Sequence, residues 1–88
     1  MLRMAKVPEW KPTHLRLLYV QLAEHLAARI EAGELPRGSK MPPERDLAVE
    51  YGVAYNSVRR AMELLRERGL ILTMHGRGTY VAGEGPSR

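Results

Sequence analysis

The chain has 88 residues, 44% of them apolar and 27% charged, with no Cys and a formal net charge of +4. A chain of this size buries roughly 60–65% of its unfolded surface, enough for one core and too little for a catalytic cleft between two domains. The composition excludes a disordered chain, disulfide staples, Cys-type zinc sites and thiol catalysis. No apolar run has the length of a membrane span or of a signal-peptide core, so the expected compartment is the cytoplasm.

Residues 1–12 contain two prolines and Trp10 without sustained periodicity, and read as an arm, with Trp10 available to dock on the domain. From Thr13 onward Leu15, Leu18, Tyr19, Leu22, Leu26 and Ile30 recur at three- and four-residue steps beside Ala23 and Ala27. This spacing predicts an amphipathic helix capped by Thr13 and closed by Gly33. Turn residues from Pro36 to Ser39 follow, with room for one short strand around Lys40 and Met41. Pro42 and Pro43 then introduce a second helix, Glu44 to Tyr51, whose early carboxylates Glu44 and Asp46 suit the helix dipole. Its apolar face is Leu47, Ala48 and Tyr51. Gly52 ends it, Val53 and Ala54 make a tight turn, and a third helix runs from Tyr55 to Arg68, burying Val58, Ala61, Met62 and Leu65 and stopping at Gly69.

Two short helices about a Gly-containing turn are the sequence form of a helix-turn-helix. Leu70–Met74 and Thr79–Val81 are β-like and flank His75-Gly76-Arg77-Gly78, which predicts a β-hairpin. A hairpin directly after the second helix of such a pair is a wing. The expected fold is therefore mainly α with a small β-hairpin: a winged helix-turn-helix of three helices plus a two- to three-stranded wing. It should occupy residues 13–82, followed by a tail or linker stump at 83–88.

The charge is concentrated where this motif lies. Residues 37–77 carry eight basic and five acidic groups, a net of +3, against a net of +1 in residues 1–36. Arg far outnumbers Lys, which favours planar, bidentate recognition of phosphates and guanines. The partner implied is double-stranded DNA, with the third helix in the major groove. Tyr55, Asn56, Ser57, Arg59 and Arg60 lie at the reading end of that helix, and positions 55, 56, 59, 60 and 63 share one broad face. Arg59 and Asn56 are the residue types that read guanine and adenine edges in bidentate fashion. Ser57 and Arg60 are placed for phosphate. The plain alternative for Arg59, Arg60 and Glu63 is a solvated helix face paired at i,i+3 or i,i+4. Arg45, at the start of the second helix, can grip the backbone or lean toward a base, or else pair locally with Asp46 or Glu50.

In the wing, His75, Gly76, Arg77 and Gly78 form a slim tip suited to the minor groove, where Arg and His meet negative potential. They also suit an ordinary hairpin turn. His14, His25 and His75 lack metal-ligand spacing, the serines lack His and Asp partners, and no P-loop pattern occurs. The sequence predicts neither a metal, a cofactor nor an enzyme. The competing readings are non-specific architectural DNA binding and a winged helix used for protein contact.

Several segments together resemble the DNA-binding domain of the GntR family of bacterial transcription regulators. They are Tyr19-Val-Gln21-Leu, Ile30-Glu-Ala-Gly33, Pro42-Pro-Glu44-Arg45-Asp-Leu47-Ala48 and Tyr51-Gly52-Val53. With them go Val58-Arg59-Arg-Ala61, Leu64-Leu65, Gly69-Leu70-Ile71 and Gly76-Arg77-Gly78-Thr79-Tyr80-Val81. The resemblance spans about residues 14–81 and implies a winged helix that binds an operator, most often as a repressor. It implies DNA contact by Arg45, Arg59 and the wing-tip pair His75 and Gly76. Three positions depart from the family pattern. Pro43 replaces a capping Ser. Ala54-Tyr55 replaces Ser-Arg, removing a second cap and a common DNA contact, so that Tyr55 is left to meet a phosphate or a thymine methyl. Thr73-Met74 stands where a basic pair is frequent. An operator unlike the family's commonest sequences is expected.

The family usually continues into an effector-binding, dimerising domain. The sequence reads as a minimal regulator or a separated DNA-binding domain, with no effector bound by residues 1–88. Pairing of two subunits on a palindromic operator, by the first helix or the Trp10 arm, and residence at the nucleoid are further expectations.

Overall fold

The computed structural model describes residues 7–83. The arm's first six residues and the tail from residue 84 lie outside the described residues. Three helices, α1 (Leu18–Glu31), α2 (Glu44–Tyr51) and α3 (Tyr55–Glu67), precede an antiparallel hairpin of β1 (Ile71–Met74) and β2 (Gly78–Val81). The winged helix-turn-helix predicted from the sequence is the observed fold.

The core follows from the helical period. Leu22, Leu26 and Ile30 recur every fourth residue along α1, and Val58, Ala61, Met62 and Leu65 line one face of α3, all buried. Ala23 and Ala61 are fully buried, one on each of these packed helices, and side chains this small allow close approach of the axes. Leu47 and Tyr51 bring α2 onto the same core, and Leu35, Met41, Ile71 and Val81 close it at the wing.

At the helix-turn-helix corner, Gly52 adopts φ +67, a left-handed conformation costly to residues with a Cβ. It allows Val53 N–H to reach Ala48 O (3.1 Å) and Gly52 N–H to reach Val49 O (3.2 Å), which satisfies two end carbonyls and turns the chain sharply. The same pair of bonds closes α3 at Gly69.

One expected boundary moves. Thr13 does not cap α1, which begins at Leu18, and Leu15 is 82% exposed rather than buried. The reason is the buried Gln21 side chain. Its amide donates to Thr13 O (2.7 Å) and Arg16 O (2.9 Å), and its carbonyl oxygen accepts from Thr13 N–H (2.9 Å). These bonds hold residues 13–16 in a turn whose carbonyls the side chain already satisfies. Thr13 Oγ1 instead accepts from Leu15 N–H.

Ahead of that turn, Trp10 docks. Its indole N–H donates to Tyr51 O (3.2 Å), and its ring meets His25 and Tyr51 edge-on at centroid separations of 5.4 and 5.0 Å. Tyr51 hydroxyl accepts from Arg29 (3.1 Å) and shares a hydrogen bond with His25 Nδ1 (2.7 Å). Burial raises the Tyr51 phenol above its ordinary pKa, against the pull of the Arg29 guanidinium. Trp10 thus ties α1 to the C-terminal end of α2. Trp10→Ala should lower the unfolding free energy by about 1–3 kcal/mol, less than the roughly 3–5 kcal/mol of a core aromatic because the indole is only half-buried. Trp10→Phe, which keeps the ring packing and loses the hydrogen bond, costs about 1 kcal/mol. Urea melts of the three proteins measure both.

The wing pairs Ile71 with Val81, Leu72 with Tyr80, Thr73 with Thr79 and Met74 with Gly78. The short strand expected around Lys40 is a single bridge, Lys40 to Tyr80. Three backbone bonds accompany it, Gly38 N–H to Val81 O, Val81 N–H to Ser39 O and Met41 N–H to Thr79 O (2.9, 2.8 and 2.7 Å). Arg66 on α3 donates to Thr73 Oγ1 (2.9 Å), which also bonds Thr79 Oγ1 (3.1 Å). The wing is therefore fastened on one side to α3 and on the other to the connection before α2.

Candidate nucleic-acid interface

The first turn of α3 follows directly from the Gly52 corner, so its N-terminal side chains project at the edge of the domain. Neither α2 nor α3 has a side-chain cap: Pro43 and Ala54 occupy the cap positions. Tyr55, Asn56, Arg59, Arg60 and Glu63 are exposed, and Ser57 is half-buried. Val58, Ala61, Met62 and Leu65 take the opposite face. The helical spacing thus separates a core face from a polar face that carries two adjacent arginines.

The ion pairs sort the charges. Within 4.0 Å, the carboxylates of Glu9, Glu24, Glu34 and Glu50 engage Lys11, Arg16 and Arg29, none of which belongs to α3 or the wing. Among the described residues, none of Lys40, Arg45, Arg59, Arg60 and Arg77 has a carboxylate at that distance. The local pairs available to Arg45 and to the α3 arginines are not formed. Glu50, one candidate partner of Arg45, lies 3.2 Å from Arg29 instead. Glu44, Asp46, Glu63 and Glu67 also lie outside these ion pairs, so the positive balance of this region is the net of +3 carried by residues 37–77.

Aromatic rings hold two of these arginines. The Arg45 guanidinium sits over the Tyr55 ring, 5.1 Å from its centroid, and Arg60 sits over Tyr19 of α1 at 4.2 Å. Stacking of this kind restrains the guanidinium plane and leaves its N–H edges free for hydrogen bonding. Arg45, Tyr55 and Gly78 are brought together around one groove of about 700 Å³, which Lys40, Pro43, Glu44 and Thr79 also line. His75, Gly76 and Arg77 form the exposed hairpin turn beyond it, closed by Arg77 N–H to Met74 O (2.8 Å).

The residues predicted for the site thus fall into three neighbouring groups: the groove, the exposed α3 face and the wing tip. Arg60 differs from the others in leaning on α1. In the sequence Tyr19 belongs to the apolar spacing of α1, and Lys40 stands in a turn-rich connection without a motif. Neither residue has a local pattern that points to Arg60 or Gly78, since both contacts are made across the fold.

The profile of the family described as "Bacterial regulatory proteins, gntR family" matches residues 18–81. The chain is 41% identical over 64 residues to the HTH-type transcriptional regulator SmoD of Agrobacterium fabrum, a match covering 73% of this chain and 27% of that protein. It is 37% identical over 65 residues to the HTH-type transcriptional repressor NagR of Bacillus subtilis, covering 74% and 27%. The chain therefore spans about a quarter of the length of each regulator. Among solved structures, the DNA-binding domain of AraR in complex with operator ORR3 superposes with a TM-score of 0.68 at 32% identity, covering 74% of this chain and 78% of that one. A GntR family transcriptional regulator from Listeria monocytogenes superposes with a TM-score of 0.76 at 26% identity, covering 82% and 63%.

Proposed function

This chain belongs to the gntR family of bacterial regulatory proteins, and on that premise we propose that it binds duplex DNA sequence-specifically, as the operator-recognising part of a repressor. The observation that carries the reading is the exposed face of α3, whose arginines are left without carboxylate partners beside a slim wing. An α-helix fits the major groove, about 12 Å wide, with its N-terminal residues at the base edges. Arg59 and Asn56 read bases, Arg45 contacts a base or the backbone beside them, and Ser57 and Arg60 hold phosphates. His75, Gly76, Arg77 and Gly78 enter the adjoining minor groove.

The operator complex of the AraR domain and the repressor name of NagR support this reading. The role is one of binding, without catalysis. Two copies act on an inverted repeat, because a single domain of this size spans only a half-site.

Selection from a randomised duplex library tests the proposal: it recovers an inverted repeat bound far more tightly than random DNA. Recovery of no preferred sequence would overturn it in favour of non-specific binding. Arg60→Ala weakens binding to the selected and random duplexes alike and reduces the slope of log affinity against log salt by about 0.9, one phosphate contact. Titration of both duplexes at several salt concentrations measures this.

A further inference from the structure

Lys40 lies on neither α3 nor the wing hairpin, yet it lines one groove with Tyr55 and Met62 of α3 and with Gly78 and Thr79 of β2. Residues 38–41 run beside β2 through the three backbone bonds described above, with Lys40 opposite Tyr80. This register lays the Lys40 side chain across Gly78: a Cβ placed on Gly78 would stand 2.7 Å from Lys40 Cε. The lysine occupies that position because residue 78 has no side chain. It lines the groove that Arg45 and Tyr55 also line, with Arg45 restrained over the tyrosine ring. Glu44 also lines the groove, but no ion pair within 4.0 Å joins it to Lys40 or Arg45. Two cations and one carboxylate thus border the open space, and among the described residues neither cation is ion-paired.

The position of that space gives it a ligand. Major and minor grooves of a duplex are separated by a sugar-phosphate strand, so DNA touched by both α3 and the wing passes one strand between them. We propose that the groove seats a backbone phosphate of that strand, with Lys40 Nζ as its main cation and Gly78 as the floor on which the lysine lies. The proposal rests on the duplex-binding reading above and extends it to a residue outside the helix-turn-helix and the hairpin.

Affinities of the wild type, Lys40→Ala and Lys40→Arg, measured against salt on the selected and a random duplex, test it. Lys40→Ala should weaken both duplexes by a similar factor, roughly three- to tenfold, and reduce the salt slope by about 0.9, with Lys40→Arg restoring both. Lys40 is exposed, so its substitution should leave the thermal melt unchanged. An unchanged slope and affinity for Lys40→Ala, while the wild type binds, would overturn the phosphate seat alone. A loss confined to the selected sequence would also overturn it. A wild-type chain that bound no duplex at all would overturn the duplex-binding reading itself.

Discussion

Arg59→Ala should lower the preference for the selected operator over random DNA by about 5- to 150-fold, the equivalent of 1–3 kcal/mol for one bidentate base contact. Arg59 is exposed on the polar face of α3, with no carboxylate within 4.0 Å among the described residues. Its guanidinium is therefore free to present two parallel N–H groups to guanine O6 and N7. Truncation removes those donors and leaves the base edge without its partner, so the loss falls on the matched sequence. Random DNA, held chiefly through phosphates, loses about one charge's worth of affinity. Arg59→Lys should recover the affinity for random duplex but little of the preference, because an ammonium offers a point charge in place of a planar fork. Competition of labelled operator against operator variants, one base pair at a time, should place the lost discrimination at one position in each half-site. Equal loss on every sequence would make Arg59 a phosphate contact.

The largest effect on stability is expected at Leu65. Its side chain is fully buried on the core face of α3, the helix packed against α1, α2 and β1. Leu65→Ala removes packed methyl groups and leaves a cavity that its neighbours only partly fill, at a cost of about 2–5 kcal/mol. Small domains have about 0.05–0.15 kcal/mol of stability per residue, so this is a large fraction of the total. At about 4–8 °C per kcal/mol, the melting temperature should fall by roughly 8–40 °C. Leu65→Met, which nearly conserves volume, should cost less than about 1.5 kcal/mol. Val49→Ala, on the outer face of α2 where the side chain is 82% exposed, should stay within about 0.5 kcal/mol of the wild type. Thermal melts read all three. DNA titrations well below the melting temperature should show Leu65→Ala weakened only by its unfolded fraction, which separates this residue from the proposed contact residues of α3.

The contrast between Leu65 and Arg59 was visible in the sequence. A 3.6-residue period assigns one to the core and the other to the opposite face, and both lie where the structure puts them. The α2–Gly52–α3 corner and the two wing strands were legible for a similar reason. Short apolar repeats ending at glycines leave few local alternatives.

The start of α1 was not legible. Leu15 continues the apolar spacing of Leu18 and Leu22, but the Gln21 amide satisfies Thr13 O and Arg16 O and holds that segment in a turn. A pattern of apolar positions carries no information about a buried amide reaching back along the chain.

The net charge with which the sequence opens has the same limit. The amino-acid order alone determined that the chain forms one small Cys-free domain of three helices and a wing, with its excess of +3 between Arg37 and Arg77. It could not determine which cations remain unpaired. Tertiary packing decided that, by turning Glu50 toward Arg29, laying Arg45 on Tyr55 and Arg60 on Tyr19, and folding Lys40 over Gly78. Periodicity is a property of neighbours along the chain. Charge neutralisation depends on distances of a few ångströms between residues that only the fold brings together.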